Sequence, residues 1–126
     1  MINKKNGEKM KVAVAGSRNL CVEIPENCIP ENATQIITGG ARGIDLSARE
    51  YGRKHNIQVL EILPEYDLYG RSAPLKRNDI IIKLSDTVVV FWDGKSRGTK
   101  YVIDKCRKVN KPVCVYVYKN DKFVKI

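Results

Sequence analysis

The chain has 126 residues and a mass of 14.3 kDa, enough for one domain and too little for two. At 43% hydrophobic and 29% charged residues it has globular proportions, not those of a disordered or fibrous chain. Its longest apolar runs, such as Val88–Trp92, fall far short of the roughly 20 residues that span a bilayer, so no membrane association is expected. Residues 1–11 carry charge with no apolar stretch behind them, which argues against a secretory signal.

Twenty-three basic against 14 acidic side chains give a net charge of +9. The excess is uneven: residues 1–11 sum to +3, residues 12–94 to −2 and residues 95–126 to +8. A basic chain suits a polyanionic partner, but it equally suits a plain cationic surface. Cys21, Cys28, Cys106 and Cys114 have no CxxC spacing, and His55 stands alone, so no metal site is expected. Four cysteines without a signal suggest reduced thiols and a cytoplasmic location.

In chain order, residues 1–10 are polar and read as a flexible tail, with a single domain over 11–126. Lys11–Ala15 (KVAVA) is a buried strand ended by Gly16. Residues 17–34 contain Pro25 and Pro30, which predicts an irregular crossover or a short helix. Gln35–Thr38 is a second strand, stopped by Gly39 and Gly40. Ile44, Ala48, Tyr51 and His55 recur at helical spacing and predict an amphipathic helix from about residue 42 to 55. Gln58–Leu63 is a third strand, Glu65–Arg71 a loop, and Ser72 with Pro74 opens a helix to about Leu84.

Thr87–Trp92 (TVVVFW) is apolar on both faces, as a central parallel strand is. Asp93–Gly98 is a loop, Thr99–Val109 a helix and Pro112–Tyr118 a fifth strand. Asn120-Asp121 marks a tight turn, after which Phe123–Ile126 returns as a short antiparallel edge. Strands alternating with helices predict a three-layer, Rossmann-like α/β sheet, mainly parallel, in the order 3-2-1-4-5.

Four clusters carry candidate chemistry: Gly16-Ser17-Arg18, Gly39-Gly40-Ala41-Arg42-Gly43, Arg77-Asn78, and Asp93-Gly94-Lys95-Ser96-Arg97-Gly98-Thr99. Three of them fall where strands end, and in an open α/β sheet that edge is where ligands bind. Glycines at a helix start free backbone N–H groups for an anion. The Thr99 hydroxyl can cap its helix or donate to a phosphate. Arg18, Arg42, Arg77 and Arg97 are forked donors suited to phosphate. Asp45 and Asp93 can accept from ribose hydroxyls and are the only acid/base candidates in these clusters. Trp92 and Tyr69 offer faces to a base. Each feature also has an ordinary reading: a strand-to-helix turn, a solvated arginine, a helix-dipole partner in Asp45, a core tryptophan.

Together these segments resemble the SLOG superfamily, which includes the DNA-processing protein DprA and the LOG cytokinin-activating phosphoribohydrolases. They are most similar to its YspA-related branch, bacterial and phage proteins of unknown function. The resemblance runs from Val12 to Tyr116 and rests on Gly16-Ser17-Arg18, GGARGID at 39–45, Tyr69-Gly70-Arg71 with Lys76-Arg77-Asn78, and FWDGKSRGT at 91–99. It implies a Rossmann-like fold, a nucleotide or nucleotide-derived ligand held by its phosphate, no bound cofactor, and a homodimer. The Arg77-Asn78 segment is similar to DprA and implies single-stranded nucleic acid as the alternative. Gly98-Thr99 resembles the end of the LOG motif PGGxGTxxE, but Val102 stands where that motif carries its glutamate. Valine cannot transfer a proton or steady an oxocarbenium ion, so binding is expected ahead of N-glycosidic cleavage.

Overall fold

The computed structural model describes residues 9–126. Strands β1 (Met10–Gly16), β2 (Ala33–Thr38), β3 (Gln58–Glu61), β4 (Thr87–Trp92), β5 (Val113–Lys119) and β6 (Lys122–Lys125) form one sheet. Its order is β3-β2-β1-β4-β5-β6, with every pairing parallel except the antiparallel β5–β6. The expected order and the returning edge strand are both present. The chain turns into β6 through Asn120 and Asp121, whose φ angles of 52° and 62° are those of a tight hairpin turn.

The helices are α1 (Ile44–Lys54), α2 (Tyr66–Tyr69), α3 (Ala73–Leu84) and α4 (Arg97–Lys108), with 3₁₀ turns at Glu26–Cys28 and Gly70–Ser72. They divide the core by sheet face. On one face α1 and the crossover of residues 20–29 cover Val12, Val14, Ile36, Val89 and Phe91. On the other, α3 and α4 cover Ala13, Ile37, Val88, Val90 and Val115. Strand alternation sends successive side chains to opposite faces, so β1, β2 and β4 are apolar at consecutive positions because both faces are covered. Cys106 is buried and Cys114 half-buried, and all four cysteines are free thiols.

Several boundaries differ from the sequence reading. Strand β2 begins at Ala33 rather than Gln35, β3 ends at Glu61 rather than Leu63, and α1 begins at Ile44 rather than about residue 42. Three further differences have a visible partner or turn. Met10, expected in the tail, pairs with Ala33 and begins β1; the rest of that tail, apart from Lys9, lies outside the described residues. Residues 65–71, expected as a loop, hold α2 and begin the second 3₁₀ turn, tied by the Leu68 and Tyr69 N–H groups on the Glu65 carbonyl at 3.1 and 3.0 Å. Helix α4 begins at Arg97, two residues early, because Asp93 Oδ1 accepts the Lys95 and Ser96 N–H groups, each at 2.8 Å, and turns the chain before the helix starts.

Candidate functional site

The carboxyl ends of parallel β1, β2 and β4 meet the N-termini of α1 and α4 at one edge of the sheet. Between them lies a cleft of about 320 Å³, at the lower end of the range for small-molecule sites. Ten of the anticipated residues line it: Gly16, Arg18, Ala41, Arg42, Asp45, Arg77, Asn78, Ser96, Gly98 and Thr99. They come from all four clusters.

The others serve the scaffold or lie elsewhere. Ser17 is buried and ties four segments together. Its N–H donates to the Phe91 carbonyl at 3.1 Å and its own carbonyl accepts from Ile44 at 3.3 Å. Its hydroxyl accepts the Asp93 N–H at 3.0 Å and sits 3.4 Å from the Thr99 hydroxyl. The Thr99 hydroxyl therefore faces inward and does not cap α4. Asp93, expected as a ribose acceptor, is turned onto its own loop. Burial raises its carboxyl, but the Ser96 and Lys95 N–H groups outweigh this and hold it at about 2. Trp92, expected as a stacking face, is half-buried and donates its indole N–H to the Ser96 carbonyl at 3.1 Å. Gly94 occupies the same turn at φ 83°. Gly40 lines a shallower hollow with Glu61, and Gly43 borders a groove on the far side of α1. Arg97 and Tyr69 are exposed and are not among the cleft's lining residues.

The nest expected at Gly39-Gly40 is only partly available, because α1 starts later, at Ile44. The Ala41 N–H is engaged by Asp45 Oδ2 at 3.1 Å, and the Ile44 N–H by the Ser17 carbonyl. At α4 the situation is different. The first-turn N–H groups of Arg97, Gly98 and Thr99 have no acceptor among the described residues, as a helix N-terminus dictates. No side chain caps that end either. Gly98 and Thr99 line the cleft, so it meets the positive end of α4.

Arg77 is the least expected arrangement. Read from sequence as a forked donor on a helix, it is 6% exposed. Nη1 donates to the carbonyls of Gly39 and, at 3.5 Å, Ile62, while Nε donates to Asn78 Oδ1 at 2.9 Å. Gly39 permits this, since a Cβ there would lie 2.4 Å from Nη1. Nη2 has no partner among the described residues, and Arg77 lines the cleft. Burial lowers the Arg77 pKa and the Asp45 charge partly restores it.

Asp45 is 9% exposed at the cleft floor. Burial raises its carboxyl, opposed by the Ala41 N–H, the Thr38 hydroxyl and the charges of Arg77 and Arg18. The Thr38 hydroxyl is itself buried and falls short of hydrogen-bond geometry with any partner among the described residues. A carboxyl raised in the native state binds its proton more tightly there than in the unfolded chain. Its stability contribution is therefore full below the ordinary carboxyl pKa and declines as pH rises through the native value. Asp45→Asn keeps an oxygen for Ala41 and removes the buried charge. It should stabilise the domain at pH 7 by about 1 kcal/mol and lose that advantage near pH 4. Urea denaturation at both pH values checks this; a variant less stable than the parent at pH 7 contradicts it.

Sequence reasoning missed Ala15, Asn19, Pro74, Leu75 and Val102 as cleft residues. Asn19 directly follows the first cluster, and its side chain is near enough to Asp93 to help lower that carboxyl, so its place beside the cluster is the one visible signal among the five. Of the apolar four, Ala15 lies at the end of β1, and Pro74, Leu75 and Val102 become walls through the packing of α3 against α4. Among the described residues no three acidic, histidine or cysteine side chains group to hold a metal, and no helix is long and apolar enough to cross a membrane.

Fold and cleft together define a Rossmann-like α/β domain with a concave site at the carboxyl edge of its sheet. No family model matches the chain, nor does any curated protein or solved structure.

Proposed function

We propose that this is a SLOG-type binding domain whose cleft takes a nucleotide or nucleotide-derived ligand, in a sensing or regulatory role. The observation that carries the reading is the α4 N-terminus. Of its unpartnered N–H groups, those of Gly98 and Thr99 belong to residues that line a cleft which also holds Arg18, Arg42 and Arg77. Donors of this kind converging on one end of a helix suit a phosphate. Asp45 and Asn78 lie across the same cleft and suit sugar hydroxyls or polar base edges. Val102 lines the cleft where a LOG-type enzyme would carry its glutamate, which favours binding over cleavage.

Thermal denaturation with nucleoside mono- and diphosphates, ADP-ribose, NAD and inorganic phosphate tests this. A ligand at a hundred times its Kd adds about 2.7 kcal/mol to the stability of the folded state. One member of the series should raise Tm, and Arg18→Ala, a change at an exposed side chain, should reduce the rise without lowering the unliganded Tm. No response to any member counts against the reading. Oligonucleotide binding with a steep salt slope would assign the cleft to single-stranded nucleic acid instead.

A further inference from the structure

Much of the basic excess of residues 95–126 is gathered at the edge of the sheet opposite the cleft. Helices α3 and α4 each connect parallel strands, so both end at the amino edge. The Lys111 ammonium donates to the Ser85 carbonyl and ties the two helix ends together. Lys83, Lys105, Arg107, Lys108 and Lys111 lie there, and none has an ion-pair partner among the described residues. The carboxylates of α3, α4 and the segment before β4 are engaged. Asp79 accepts the Tyr101 hydroxyl at 2.8 Å, Asp104 the Lys100 ammonium at 3.1 Å, and Asp86 the Lys11 N–H at 2.8 Å. Only this half of the edge is positive. Around the end of α1, Glu23, Glu26, Glu31 and Glu50 outnumber Arg53 and Lys54.

Cations in the last turn of a helix offset its negative end. Here they also flank two aliphatic side chains that water reaches, Leu84 at 44% and Val109 at 47% exposure. We infer that this corner of the molecule lies against an anionic lipid surface, its cations on the headgroup phosphates and Leu84 and Val109 at the acyl boundary. Basic and aliphatic side chains side by side are what interfacial attachment uses. A lysine stem lies along apolar surface while its ammonium stays among the headgroups. Single-stranded nucleic acid would call for aromatic faces to stack its bases, and the last turn of neither helix holds one. The expectation of no membrane association rests on the lack of a spanning run. That lack bears on crossing a bilayer, not on resting against one. The cleft, at the carboxyl edge, then faces away from the lipid and stays open. The inference is independent of the cleft's ligand.

Co-sedimentation of the full chain with lipid vesicles is the test. The chain should bind phosphatidylcholine vesicles containing about a third phosphatidylglycerol, but not phosphatidylcholine alone, and about 0.5 M NaCl should release it. A cation at an anionic surface strengthens attachment about fivefold, so Lys83→Glu with Lys108→Glu should weaken it about tenfold or more. Both side chains are exposed, so the circular dichroism spectrum should not change. Lys119→Glu with Lys122→Glu makes the same charge change at the β5–β6 turn and should weaken binding much less. Val109→Ser leaves the charge unaltered and should weaken it about threefold. Failure to bind anionic vesicles overturns the inference, as does an equal loss from the two double variants, which would mean net charge and not a face. Wild-type affinity in Val109→Ser also overturns it. Binding of an oligonucleotide but not of vesicles, lost in the Lys83 and Lys108 variant, would overturn it in favour of nucleic acid.

Discussion

Gly16→Ala should be among the most damaging single methyls in the domain, costing about 3 kcal/mol of stability. Gly16 ends β1 and pairs with Phe91 on β4, while Ile44, the first residue of α1, sits directly over it. A Cβ at Gly16 would lie 2.4 Å from the Phe91 carbonyl oxygen and 2.6 Å from Ile44 Cβ and Cγ2. Neither neighbour has room to yield. The Phe91 carbonyl accepts the Ser17 N–H, and Ile44 is fully buried. The strands must part or α1 must lift, and either movement disturbs the cleft floor. For a domain of this size the loss lowers Tm by about 10 °C. Gly98→Ala provides the contrast, since a Cβ there meets nothing within 4 Å and alanine favours a helix. A Gly16→Ala variant as stable as Gly98→Ala would contradict the packing described for β1, β4 and α1.

Arg77→Ala should cost a similar amount, about 3 kcal/mol, for a different reason. The guanidinium lies against Gly39 and holds the Gly39 and Ile62 carbonyls, joining α3 to the ends of β2 and β3. Removing it leaves those carbonyls and the Asn78 amide oxygen without their donor, opens a cavity, and strips Asp45 of a nearby positive charge. The Asp45 carboxyl should therefore rise further in the variant. Arg77→Lys keeps the charge but not the planar fork, so it should recover only part of the loss. Urea denaturation at pH 7 reads the effect; a loss below about 1 kcal/mol would mean that Arg77 is not a structural link. Because this residue serves both fold and cleft, its effect on ligand affinity has to be read on the folded fraction.

What the sequence discloses about this protein follows the range of the interactions involved. Thr87–Trp92 is legible as a central strand because burial on both faces leaves a continuous apolar run. The β5–β6 return is legible because Asn and Asp tolerate the positive φ that a tight turn requires. The convergence of the four clusters follows from strand order, which α/β handedness restricts.

Other features depend on partners distant in sequence. Arg77 differs from a surface arginine only through the Gly39 and Ile62 carbonyls, 38 and 15 residues away. Ser17 and Thr99 are drawn inward by a contact spanning 82 residues. Helix α2 buries no residue, so no apolar periodicity announces it. Asp93 is a local case that sequence reading passed over. An aspartate with N–H groups two and three residues ahead is as suited to closing its own turn as to meeting a ligand, and here it closes the turn.

The charge distribution also acquires a place. The basic excess of residues 95–126 lies on α4, β5, β6 and the turns between them, while the cleft draws its cations from Arg18, Arg42 and Arg77. The proposed phosphate site therefore rests on three arginines and one helix end, not on net charge.

The most direct test of that site is an amide ¹H–¹⁵N correlation spectrum recorded while a nucleoside monophosphate is titrated in. Phosphate binding at the α4 N-terminus should give saturable shifts concentrated at Arg97, Gly98 and Thr99, with smaller ones at Arg18 and Asp45. Saturable shifts that leave the first turn of α4 unmoved, or no saturable shifts with any phosphorylated nucleoside, would contradict it.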